Sequence, residues 1–209
     1  MNNIRHPQRR EILLAGMAAA AAPLVPSFAF AQDTSSRAAS SAASSGQAYY
    51  SKDEVLTAGS NFLGVTAESL GGAIEKIFND YGDEPTAYVA GEEFSGAVGI
   101  GLRYGKGMLY MKNGQPPSQI YWQGPSIGFD TGANASRVFT LVYNLREPVF
   151  MYRRFPGVEG SAYFIGGLGV TYQRAEGIIL APIRAGVGFR LGANVGYMSF
   201  SKQRRIFPL

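Results

Sequence analysis

Residues 86–112, TAYVAGEEFSGAVGIGLRYGKGMLYMK, decide the fold. Helical periodicity stops at Thr86, and short β-branched and aromatic runs alternate with glycine from there on. Strands are expected at 87–92, 97–104 and 107–112. The same texture continues downstream and predicts strands at 119–123, 126–131, 137–144, 162–173, 177–183 and 187–200. Short loops such as Asn113-Gly114-Gln115-Pro116-Pro117 join most of them. Many strands with short connections predict a mainly β fold: a small, antiparallel, Gly-rich β-barrel, closed or nearly closed.

The glycines favour closure. Gly99 and Gly101, Gly167 and Gly169, and Gly186 and Gly188 are two apart, so each pair is expected on one strand face. A stripe without side chains lets a backbone or a large ring come close. An internal echo points the same way: Gly128-Phe129-Asp130-Thr131-Gly132-Ala133-Asn134 returns as Gly188-Phe189-Arg190-Leu191-Gly192-Ala193-Asn194. It is expected to mark equivalent strand-turn units.

Upstream of the strands, residues 49–81 read as helical. Ser51 and Glu54 have capping-box spacing before Val55, Leu56, Phe62 and Leu63. Gly64 is expected to end this helix, and Thr66 to cap a second. Leu70, Ala73, Ile74, Ile77 and Phe78 then form an apolar stripe that must pack on something. One or two short helices are thus expected before the barrel, in a domain spanning 49–209.

Residues 32–48 are Ser/Ala low complexity with no aliphatic side chain larger than alanine. Such a segment cannot offset its own ordering entropy, and a disordered linker is expected. Residues 1–31 have the parts of an export signal: a basic start, an apolar stretch from Ile12 to Val25, and the small-x-small site Ala29-Phe30-Ala31. Cleavage is expected between Ala31 and Gln32. Arg9 and Arg10, followed by Glu11, Ile12, Leu13 and Leu14, match the twin-arginine pattern. A Sec signal with two chance arginines is the alternative.

Composition limits the chemistry. The one histidine, His6, lies in the expected signal, and there is no cysteine. The mature chain would then lack a Ser-His-Asp triad, a Cys nucleophile, His/Cys zinc ligands, a haem histidine, a disulfide and a lipobox. After cleavage its formal charge is +2, unevenly spread: 32–136 carry −5 and 137–209 carry +7. A basic C-terminal half can form a face for anionic lipid, lipopolysaccharide or cell-wall polymer. Interleaving strands would instead mix the charges.

Other motifs are weaker. Gly96 to Gly101 and Gly105-Lys106-Gly107 resemble phosphate loops, but strands rather than helix starts follow them. Glu92 and Glu93 are strand neighbours, so they point to opposite faces and cannot form a glycosidase pair. Glu92 with Asp130 is the remaining acid pair. Arg103, Tyr104, Tyr121 and Trp122 combine charge, stacking surface and polar tips, and are the candidate binding surface at one barrel end. Packing in the core is the plainer role for the same aromatics. No enzyme activity, catalytic residue, cofactor, metal or nucleic-acid partner is expected.

The residues Tyr88-Val89-Ala90-Gly91-Glu92, Gly101-Leu102-Arg103-Tyr104-Gly105-Lys106-Gly107, Tyr121-Trp122-Gln123-Gly124-Pro125-Ser126-Ile127-Gly128 and Ala181-Pro182-Ile183-Arg184-Ala185-Gly186-Val187-Gly188 together resemble the EipA family of alphaproteobacterial envelope proteins. The resemblance runs from about Tyr50 onward. It implies a small periplasmic β-barrel, with some likeness to bacterial SH3 domains, that supports envelope integrity under stress. It implies no catalytic residues. Residues 101–144 also resemble SYLF lipid-binding domains, through the Gly-x-Arg-Tyr-Gly-Lys-Gly turn and the following Trp122 and Pro125. That likeness implies contact with anionic phospholipid.

The expected function is therefore non-enzymatic support of the envelope from the periplasm, by binding an envelope component (anionic lipid, lipopolysaccharide or cell-wall glycan) or an envelope protein. The alternatives are a SYLF-like lipid-binding domain and an integral outer-membrane barrel, which would read similarly in sequence.

Overall fold

The computed structural model describes residues 48–98, 100–127, 132–185 and 196–205. The expected signal, nearly all of the expected linker, Asp130 and most of the echoed motif lie outside these residues, as do Gly99, Gly186 and Gly188.

Among the described residues, two helices come first. Helix α1, Lys52–Leu63, starts at Ser51, which makes a full capping box with Glu54: the Ser51 hydroxyl accepts from the Glu54 N–H, and the Glu54 carboxylate accepts from the Ser51 N–H at 2.8 Å. It stops at Gly64 in the left-handed conformation, φ +70°. Helix α2, Ala67–Tyr81, is capped by the Thr66 hydroxyl and ends at Gly82. Both boundaries fall where the local chemistry placed them.

Ten strands follow: β1 Ala87–Val98, β2 Ile100–Met111, β3 Ser118–Ile127, β4 Gly132–Tyr143, β5 Arg154–Pro156, β6 Tyr163–Ile165, β7 Leu168–Val170, β8 Gln173–Ala175, β9 Ile178–Arg184 and β10 Tyr197–Ser201. They form one antiparallel sheet in the order β5-β10-β3-β2-β1-β4-β9-β7-β6, with β8 also on β9. The sheet curls until its ends approach. Gly157 after β5 bridges Gln173 of β8, and the Val158 N–H donates to the Tyr172 carbonyl at 3.0 Å. The curl is barrel-like, joined at this seam by a bridge rather than a ladder.

Several expected strand boundaries need correction. The strands expected at 87–92, 97–104 and 107–112 are two long partners, β1 and β2, in register from Ala87 opposite Met111 to Val98 opposite Ile100. Those expected at 119–123 and 126–131 merge into β3. The strand expected at 162–173 is broken. Gly166 and Gly167 have φ +58° and +82° and make the turn between β6 and β7, so Gly167 and Gly169 do not share a strand face.

The curled sheet has two apolar layers. Its inner face carries Val89, Leu109, Ile120, Trp122, Val138, Leu180, Phe155 and Met198. On the outer face, Phe139, Leu141, Tyr143, Val170, Ala181 and Ile183 meet Val55 and Leu63 of α1 and Leu70, Ala73, Ile74 and Ile77 of α2. The apolar stripe of α2 is thus what covers this half of the sheet. Strand β4 buries both faces, hence the nearly unbroken apolar run Val138-Phe139-Thr140-Leu141-Val142-Tyr143. Polar ties fix the helices. Lys112, just after β2, meets Glu54 of α1 at 2.6 Å, and the Tyr172 hydroxyl donates to Asp80 of α2 at 2.7 Å. Among the described residues, no helix lies over the outer face of β1–β3 toward β10: Phe94 there is 55% exposed.

Candidate functional site

The most heavily charged point of the interior is Glu93. Strand alternation turns Glu92 outward and Glu93 inward, where it is 2% exposed. One carboxylate oxygen accepts from the Trp122 indole N–H at 2.9 Å. The other accepts from Nε of Arg184 at 3.0 Å, and Arg103 approaches it at 3.9 Å. Arg184 is itself buried and also donates to the Thr171 hydroxyl at 3.1 Å. Burial works to raise the Glu93 carboxyl, but the Arg184 and Arg103 charges and the hydrogen bonds hold it below the usual carboxylate range. Burial, then repulsion from Arg184, draws the Arg103 guanidinium below its ordinary value, against the attraction of Glu93. Through these contacts the carboxylate ties β1 to β2, β3 and β9.

The indole of Trp122 needs a floor without side chains. Gly105 lies directly across from it in register, and a Cβ there would come within 2.0 Å of the ring. A Cβ on Gly91 would meet the ring at 2.6 Å, and one on Gly107 would strike the β1 backbone at 2.5 Å. These glycines, rather than the spaced pairs read from the sequence, admit the large ring.

The four candidate surface residues do not share one surface. Arg103 and Trp122 face inward to Glu93, whereas Tyr104 and Tyr121 face outward. The reason is the pleat: adjacent residues of one strand point to opposite faces. Trp122 is a core residue, 4% exposed.

The outward pair lines a groove of about 380 Å³ between β2, β3 and the segment after β10. Phe94, Tyr104 and Tyr121 supply aromatic surface, and Lys106, Arg204 and Arg205 supply positive charge. Glu92 sits opposite Lys106 across β1 and β2. Among the described residues, no group of three or more Asp, Glu, His or Cys side chains gathers as a metal site.

This arrangement has a counterpart of known shape. The family model for Envelope integrity protein A, EipA, matches residues 48–209. The chain belongs to the EipA family. A crystal structure of a β-barrel-like, uncharacterized protein from Brucella abortus is similar to it at 42% identity and a TM-score of 0.68, over 77% of this chain and 99% of that one. No curated protein matches. The EipA resemblance read from the four motifs is therefore correct, and three of those motifs supply partners of the interior cluster, Arg103, Trp122 and Arg184, while the first ends at Glu92, one residue before Glu93.

Sequence reading missed Glu93 and Arg184 as partners in this EipA fold. They are 91 residues apart, and no local pattern couples them. It did quote Arg184 within a motif, without a role.

Proposed function

We propose that this EipA-family protein supports the envelope from the periplasm by binding an envelope component without turning it over. The observation that carries this reading is the groove beside β10, where aromatic walls and cations meet on a strip of sheet that the helices leave open. Aromatic and cationic side chains together suit phosphorylated lipids and glycans of the envelope. The interior supports the non-enzymatic part, because Glu93 is enclosed and held ionised. The layering argues against an integral barrel. Outer-membrane barrels turn an apolar band outward to lipid and keep a polar lumen. Here the inner face is apolar, and helices lie over part of the outer one.

Export is part of the proposal, resting on Arg9, Arg10 and the Ala29-Phe30-Ala31 site. Replacing both arginines by lysine should leave precursor in the cytoplasm. Normal export of that variant would return the signal to the Sec route. The binding reading is tested by following Trp122 emission against anionic vesicles and against peptidoglycan fragments, each at two salt concentrations. Lipid binding should fall steeply with salt, and glycan binding much less. Silence toward both would leave an envelope protein as the partner.

A further inference from the structure

The aromatic groove is one of two that meet at the end of β10. The second, of about 420 Å³, lies on the β5 side and shares Ser201, Arg204 and Arg205 with the first. Its lining holds five cations, Arg153, Arg154, Lys202, Arg204 and Arg205, and no carboxylate. Arg153 is paired with Glu176 of the β8–β9 turn, and Arg154 lies over the Tyr197 ring at 5.0 Å. Lys202, Arg204 and Arg205 are exposed. Five of the ten cations of residues 137–209 thus meet in one place, because β5 and β10 are sheet neighbours.

The two grooves differ in kind. One offers Phe94, Tyr104 and Tyr121, with exposed Leu102 on the same face of β2. The other offers a dense positive field. Each volume falls within the roughly 300–1,000 Å³ usual for small-ligand sites. Charge complementarity selects an anion for the basic groove, and the apolar wall selects a hydrocarbon for its neighbour. We infer that the pair forms a single site for one phosphorylated lipid, its phosphate among Arg154, Lys202, Arg204 and Arg205 and its acyl chain along Phe94, Tyr104 and Tyr121. This rests on the binding reading above and narrows it from envelope material to a lipid monomer, held by head and tail together.

The test uses the isolated full chain and short-chain lipids below their micelle concentration. Dihexanoyl phosphatidylglycerol is titrated against dihexanoyl phosphatidylcholine and against glycerol phosphate, with calorimetry as readout and Trp122 emission as a second. The anionic lipid should bind, and the zwitterionic lipid and the bare head group should each bind far more weakly. Arg204→Ser with Arg205→Ser should weaken phosphatidylglycerol binding about 30-fold and flatten its salt dependence. Phe94→Ser should weaken the lipid and leave glycerol phosphate unchanged. Both substitutions are at exposed positions, and unaltered thermal unfolding of the variants certifies the fold. Equal affinity for the two lipids, competition by glycerol phosphate as strong as by lipid, or wild-type affinity in both variants would overturn the inference. Binding of peptidoglycan fragments without lipid would also end it while leaving the binding function intact. No binding to any of these probes would end the lipid inference and leave an envelope protein as the partner.

Discussion

Replacing Glu93 by glutamine tests the core of the structural argument with a change of almost no volume. Glutamine keeps one carbonyl oxygen, which can take the place of the carboxylate oxygen that accepts from the Trp122 indole N–H at 2.9 Å and from Nη2 of Arg184 at 3.4 Å. Its amide N–H₂ must then face Nε of Arg184, a donor that reaches the opposite carboxylate oxygen at 3.0 Å. Two guanidiniums are left beside a neutral group. Removing one partner of a buried ion pair costs about 3–5 kcal/mol. Arg103 keeps some contact with solvent and stands 3.9 Å away, so part of its loss is recovered by hydration. Arg184, 6% exposed and tied to Thr171, has no such outlet. The lower end, about 3 kcal/mol, is therefore expected. For a domain of this size that corresponds to a fall of about 6–12 °C in Tm.

Thermal unfolding followed by circular dichroism measures it, and Trp122 supplies an independent signal because it is the one tryptophan of the chain. A double-mutant cycle with Arg184→Met should give a coupling energy of about 1–3 kcal/mol. A drop of less than about 2 °C for Glu93→Gln, or additivity in the cycle, would show that the cluster does not fix the strand register.

The remaining predictions concern the same framework. Stability should fall in acid as pH drops through the lowered folded-state pKa of Glu93. That contribution is fully present above the ordinary carboxylate value of 4.5, and Glu93→Gln should flatten the acid limb of a Tm–pH profile. Gly105→Ala should lower stability by about 1–3 kcal/mol, because its Cβ would overlap the Trp122 ring, and the emission of Trp122 should shift with it. Ser51→Ala removes the capping box of α1 and should cost about 1 kcal/mol in denaturant unfolding, with Ser51→Asp close to wild type. Mass spectrometry of the exported protein should find Gln32 as its first residue.

What was legible in the sequence was local chemistry. The Ser51–Glu54 box, the Gly64 stop, the Thr66 cap and the Leu70–Ile77 stripe each depend on residues within one or two turns, and each stands where it was read. The strands were harder. Gly105 and Gly107 look like a break in β2, yet they are continuous strand, and their lack of side chains serves a ring on β3. Glu93 interrupts the apolar pattern of β1, so the strand expected there stops at Glu92; the charges that compensate Glu93 come from β2 and β9. The turn within 162–173 had a signal, the adjacent Gly166 and Gly167, that an apolar run obscured. The candidate site divided because two neighbouring pairs, Arg103-Tyr104 and Tyr121-Trp122, were assigned to one surface. The period of two along a strand already forbids that.

That division leaves Trp122 with its ring in the core and its residue at the edge of the outer groove. Its N–H is bound to Glu93 inside the curl, while the residue also lines the groove walled by Tyr104 and Tyr121 outside it. The strand that carries it, β3, pairs with β10, whose following segment brings Arg204 and Arg205 to the groove. The interior charge cluster and the outer groove therefore share a strand rather than merely a neighbourhood. The cluster fixes where β3 lies, and β3 fixes where β10 and its cations lie. A change that frees Glu93 from Arg184 should then loosen the groove as well as the core. Ligand in the groove would stabilise the fold by mass action, by about 2.7 kcal/mol at a hundredfold excess over Kd. Because Glu93→Gln is expected to loosen the groove, wild-type protein is the material for ligand screening. A probe that raises its Tm while leaving the Arg204→Ser, Arg205→Ser variant unmoved would mark the groove, and not the core, as the place of binding.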